Sequence, residues 1–273
     1  MNLFRHFNYF LLPLPLATAA APADDKSIRI GYASCAGLAA SSPAISEKAA
    51  KLKWYFAHAS VGANMVDGLT DLRKANSGSY PYTTAFCEKT PPTDTKPGIV
   101  YEHNRGNPGW KNKFDQFESA VSNGWHYPKV DVVMNKLCYI DQLASAKYYI
   151  HSMTNLEAAF PDTVFVYMTM PLATAEDWDN GLRNGFNERV REWTRENGRV
   201  LFDIADIASH DSKGQSCTFM RRNKTCEKLC GEYTTDGGHL NEAGRQLAGR
   251  GFYALGAALE NRRGKEPALN AGR

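Results

Sequence analysis

What this sequence lacks narrows it first. It has no apolar run long enough to cross a bilayer. The longest, residues 7–21, falls short of the roughly 20 residues a spanning helix needs and is broken by Pro13 and Pro15. Net charge is scarce, +3 over 273 residues, too little to argue for a nucleic-acid partner. Internal repeats and low-complexity blocks are absent. Cysteine is sparse, six in all, and although Cys226 and Cys230 lie four apart, no second Cys or His pair stands at zinc-site spacing. Neither a metal nor a cofactor is expected. What remains, 43% hydrophobic and 22% charged, is an ordinary globular composition, long enough for one large α/β domain with a full core.

The amino end reads as a targeting segment. Arg5 and His6 precede the apolar run, and small residues lead into Pro22-Ala23-Asp24-Asp25, so residues 1–23 are expected to be a cleaved secretory signal. This predicts a secreted or periplasmic protein without a stable membrane anchor. Residues 24–47, rich in Ala, Ser and Pro, are expected to form a flexible lead-in, residues 48–262 the folded domain and residues 263–273 a basic tail. Export gives the cysteines a meaning, since an even count in an oxidising compartment favours disulfides. Cys217, Cys226 and Cys230 are expected to staple the irregular loop 211–232, with the pairing left open.

The chain is organised around the stretch LKWYFAHASVGANMVDGL, which carries Ser60. Leu52, Trp54, Tyr55 and Phe56 have the character of a buried strand, and Val61, Met65 and Leu69 fall at helical spacing, so a strand hands over directly to a helix at Ser60. A serine there has two readings. It can cap the helix by accepting a backbone N–H, or it can serve as a nucleophile beside the positive helix end. Near the other end stands Thr234-Thr235-Asp236-Gly237-Gly238-His239-Leu240-Asn241. An aspartate three residues before a histidine can hold the imidazole Nδ1–H and leave Nε2 to take a proton from a serine, which points to a Ser60–His239–Asp236 triad.

Between these ends, strands are expected at 130–134, 163–170 and 200–204, and a short one at 83–87. They alternate with helices at 111–123, 141–160, 181–197 and 242–260. Strands separated by helices predict a three-layer α/β/α sandwich, a parallel doubly wound (flavodoxin-like) sheet of about five strands. In such a sheet the loops after the strands' carboxyl ends converge on one rim, where Ser60 and His239 would meet. The turn-rich, aromatic stretch 79–110 is expected to wall the substrate site.

With these residues in view the chain resembles the SGNH (GDSL-like) hydrolases. His58-Ala59-Ser60-Val61-Gly62 stands where that family has its nucleophile block, with His-Ala in place of the usual Gly-Asp, and Asp236-Gly237-Gly238-His239 is similar to its late Asp-x-x-His block. The resemblance implies an oxyanion hole built from the nucleophile's N–H, a glycine N–H after the second strand and an asparagine after the third. Gly106, in Asn104-Arg105-Gly106-Asn107, is similar in position to that glycine. The third block is missing: the chain reads Asn135-Lys136-Leu137-Cys138-Tyr139-Ile140-Asp141, in which Asp141 alone is similar to the block's final residue. Asn107 or Asn104 is expected to substitute as donor, and His58 either lines the site or is accommodated at the strand end. The function implied is a serine esterase acting on a small-molecule or glycan ester, as a monomer. The alternatives are an O-acyltransferase using the same triad and a degenerate glycan- or partner-binding module.

Overall fold

The computed structural model describes residues 27–40, 47–88, 94–122 and 130–264. The expected signal segment, His6, His126 and most of the basic tail lie outside the described residues.

Seven parallel strands form the central sheet: β1 (Ile28–Ile30), β2 (Trp54–His58), β3 (Thr83–Phe86), β4 (Ile99–Asn104), β5 (Val132–Asn135), β6 (Val164–Met168) and β7 (Val200–Phe202). Their order across the sheet is β1-β7-β6-β5-β2-β4-β3. The inner run β4-β2-β5-β6-β7 is the doubly wound arrangement the alternation predicts, and the chain reverses direction across the sheet at β2. Two differences from the sequence reading stand out. β4 emerges from the stretch read as turn-rich wall, and β1, with the short helix α1 (Tyr32–Ala36), comes from the presumed lead-in. The sheet therefore has seven strands where about five were expected.

β2 shows why it is central. All five of its residues are buried, as expected for a parallel strand covered on both faces. Trp54 and Phe56 point into one core beside Met65, Leu69 and Phe252, while Tyr55 and Ala57 alternate into the other beside Phe117 and Tyr167. The first face is covered by α2 (Val61–Ala75) and the last helix, α7 (Glu242–Arg263). The second is covered by α3 (Trp110–Ser122), α4 (Ala146–Ala159) and α5 (Trp178–Glu196).

α2 carries the serine at its start and α7 follows the histidine, so their packing sets the distance between the two. They approach through glycine. A Cβ on Gly68 would lie 1.9 Å from the Arg245 carbonyl oxygen, and one on Gly249 would lie 2.9 Å from the Gly68 carbonyl carbon. No side chain fits between these backbones. Arg245 also pairs with Asp71 at 2.5 Å.

The loop 211–232 is less irregular than expected. After the short helix α6 (Ile204–Ala208) it folds into a hairpin of β8 (Thr218–Arg221) and β9 (Lys224–Glu227), closed by a Cys217–Cys230 disulfide. Cys226 is a free, buried thiol, as are Cys35, Cys87 and Cys138. The even count of six thus yields one bridge.

Candidate active site

Ser60 occupies the N-cap position of α2, yet its side chain caps nothing. Its backbone has φ 53° and ψ −116°, a left-handed conformation that a non-glycine residue adopts only at a cost of about 1–3 kcal/mol. The tight turn is closed by Gly62 N–H donating to the Ala59 carbonyl at 3.0 Å and Ala63 N–H donating to the Ser60 carbonyl at 2.7 Å. Freed from capping, Ser60 Oγ lies 2.7 Å from His239 Nε2.

The histidine is oriented from behind. His239 Nδ1 lies 2.7 Å from Asp236 Oδ2, and since a carboxylate only accepts, Nδ1 carries the proton and Nε2 accepts from the serine hydroxyl. Asp236 Oδ1 receives the backbone N–H groups of His239 at 2.8 Å and Gly238 at 2.9 Å. These two bonds, then the imidazole, hold the Asp236 carboxyl well below the usual carboxylate range, so it stays charged. Asn64, on the first turn of α2, accepts the Leu240 N–H at 3.1 Å and so registers the histidine loop directly on the helix that Ser60 begins. The Tyr139 ring meets the His239 ring edge-on, centroids 5.6 Å apart. The site is open, with 42% of the His239 side chain and 54% of the Asp236 side chain exposed.

No protein-family model and no curated protein matches the chain. Solved structures do. An acetylxylan esterase from Geobacillus stearothermophilus is 12% identical with a TM-score of 0.48, the match covering 75% of this chain and 94% of that one. A GDSL-like lipase from Bacteroides thetaiotaomicron is 11% identical with a TM-score of 0.47, covering 85% and 95%. An acetyl esterase mutant crystallised with acetate is 14% identical with a TM-score of 0.47, covering 78% and 100%. These neighbours are esterases and a lipase. At such identities the chemistry of this chain has to be read from its own residues.

The remaining expected residues lie on the same rim or directly behind it. Arg105 N–H donates to the His58 carbonyl at 2.9 Å, which carries Gly106 and Asn107 past the turn that holds Ser60. Gly106 N–H donates at 3.3 Å to Asn104 Oδ1. His58 does not line the surface. It is 1% exposed, stacks on Phe56 with centroids 4.7 Å apart, and its Nε2 lies 2.8 Å from Glu102 Oε2.

Beneath the rim is a feature that sequence reading missed. Arg105, Lys113 and Lys136 are all buried. Lys113 Nζ pairs with Asp141 Oδ2 at 2.5 Å and donates to Asn107 Oδ1 at 2.8 Å, and Arg105 donates to Asn135 Oδ1 at 2.6 Å. Lys113 stands in an amphipathic helix, where a lysine reads as solvated, and nothing local distinguishes it. Among the described residues no group of three or more His, Cys, Asp or Glu could hold a metal ion, and no helix is long and apolar enough to cross a membrane.

Proposed function

We propose that this protein is a serine-dependent ester hydrolase of the SGNH type, with Ser60 as nucleophile, His239 as general base and acid, and Asp236 as its orienting carboxylate. The observation that carries the reading is that Ser60, at a helix N-cap, leaves the cap unmade and gives its hydroxyl to His239 from a strained backbone. A structural serine has no reason to do either.

The steps follow from the geometry. Nε2 removes the Ser60 proton as Oγ attacks the ester carbonyl, and the imidazolium is stabilised by the charged Asp236. The oxyanion is received by the N–H groups of Ser60 and Gly106, the latter released from Asn104, with Asn107 or Asn104 beside them. His239 returns the proton to the leaving alcohol, and water, activated by the same imidazole, then cleaves the acyl-enzyme.

The exposure of the triad supports a small acyl group on a large alcohol. A cavity of about 450 Å³ lined by Val164, Arg199 and Val200 opens at the opposite, amino ends of β6 and β7. An acetyl or short acyl ester on a glycan is the substrate class proposed, with the half-exposed Tyr139 ring, edge-on to His239, as surface for a sugar. The Cys217–Cys230 bridge supports an exported protein.

A series of p-nitrophenyl esters of increasing acyl length, run on wild type and His239→Ala, tests the assignment. Turnover of acetate, declining with chain length and lost in the variant, is expected. Equal rates for the two proteins would refute it.

A further inference from the structure

We propose that Trp178, Arg221 and Arg222 form a subsite for an anionic glycan, so that the ester cleaved at Ser60 is carried on a sugar chain bearing carboxylates. The part played by the ester rests on the reading above; the binding does not.

The three side chains come from two elements. Trp178 opens α5, while Arg221 ends β8 and Arg222 follows it in the hairpin turn. The Arg221 guanidinium lies 4.2 Å from the centroid of the Trp178 ring, and that of Arg222 lies 5.0 Å from it. Gly181 leaves room for this arrangement, since a Cβ there would lie 2.4 Å from Arg221 Nη1. Two cations share one ring, attracted by its face and repelled by each other.

What singles the pair out is the lack of a counter-charge. Among the described residues neither Arg221 nor Arg222 has a side-chain hydrogen bond or an ion pair, whereas Arg29, Arg191, Arg199 and Arg245 are each matched to a carboxylate. The acids around them are already engaged. Asp177 caps α5, Asp179 accepts from Gln142, and Glu188 and Glu176 pair with Lys224 and Lys228. The turn itself is costly, with φ 46° at Arg222 and 59° at Asn223, where a two-residue hairpin turn favours Asn-Gly. A guanidinium offers a planar fork of donors that matches a carboxylate, and Trp178, still 52% exposed, can stack a sugar ring. An acidic sugar satisfies both.

The patch belongs to the rim that carries the triad. Asn180, in the first turn of α5, accepts the Ala173 N–H at 3.2 Å, and the next residue, Thr174, donates its N–H at 2.9 Å to the carbonyl of Gly237, between Asp236 and His239. Further along α5, Arg183 Nε donates at 2.5 Å to the carbonyl of Tyr139, whose ring stands edge-on to His239. In the proposed complex a chain held at Trp178 runs past Tyr139 to the triad.

Calorimetric titration of the Ser60→Ala protein with an oligogalacturonide and with its fully methyl-esterified form tests this, because the two share a ring and differ in charge. The free acid is expected to bind at least about fivefold more tightly, with the preference shrinking as salt is added. Arg221→Gln and Arg222→Gln together should abolish the preference, and Trp178→Ala should weaken both ligands. With Ser60 restored, these variants should turn over p-nitrophenyl acetate within about twofold of wild type, since that ester is too small to reach the patch. Equal affinities, no binding of either oligosaccharide, or a preference that survives loss of both arginines would overturn the proposal. So would binding of wild type to phosphatidylglycerol vesicles, lost in Trp178→Ala, with neither sugar bound, which would assign the patch to a lipid surface. Charge discrimination without Ser60-dependent turnover would keep the binding site and remove the esterase reading; turnover without discrimination would do the reverse.

Discussion

Ser60 Oγ and His239 Nε2 lie 2.7 Å apart although 179 residues separate them in the chain. The contact is produced by the doubly wound sheet. β2 delivers the serine at the point where the strand order reverses, and the close approach of α2 and α7 brings the histidine loop over it.

The strain at Ser60 predicts a trade of stability against function. Glycine adopts φ 53° without cost, so Ser60→Gly should be more stable than both wild type and Ser60→Ala, by about 1 kcal/mol or more, while having no esterase activity. Thermal melts of the three proteins check this; a glycine variant less stable than the alanine variant would show that the backbone is not strained.

In the proposed mechanism Asp236 acts on the imidazole and does not touch the ester. Asp236→Asn should therefore leave KM almost unchanged and lower kcat by about 10⁴-fold, because the amide can hold the ring in the wrong tautomer. Steady-state kinetics on acetate esters read this, and a loss carried by KM would argue for a substrate-binding aspartate.

Gly68 should tolerate no side chain. Gly68→Ala places a methyl group against the Arg245 backbone, which can yield only by moving α7, so stability should fall by about 1–3 kcal/mol or more. Turnover should fall with it, since the same shift carries His239 away from Ser60. Denaturant melts and kcat, measured together, report both effects.

His58 gives a pH dependence of stability. Burial lowers its pKa from 6.5, outweighing the hydrogen bond to Glu102, so the folded state resists a proton that the unfolded chain accepts. The unfolded state then binds more protons below pH 6.5, and stability falls as pH drops from there towards the folded-state value. His58→Gln retains a donor for Glu102 without a titration, so its melting temperature should change less between pH 7.5 and pH 5 than that of wild type. An equal change in both would contradict the assignment.

Much of this site is legible in the chain because its signals are local. The strand-to-helix change at Ser60 shows in the spacing of Val61, Met65 and Leu69, and Asp236 and His239 are three residues apart in one turn. Whether Ser60 caps or reacts is not local, and only the contact with His239 separates the two. β4 escapes because six residues of strand are embedded among Pro and Gly, and β1 because its three residues become a strand only by pairing with β7. The roles of Lys113 and Asn64 are invisible for the same reason, for each depends on a partner supplied by a distant loop.

The most direct test of the central claim is labelling with a fluorophosphonate, followed by mass spectrometry of the adduct. A single adduct on Ser60 in wild type, absent in Ser60→Ala and strongly slowed in His239→Ala, is the predicted result. Folded wild-type protein that takes up no label, or takes it up at the same rate without His239, would contradict it.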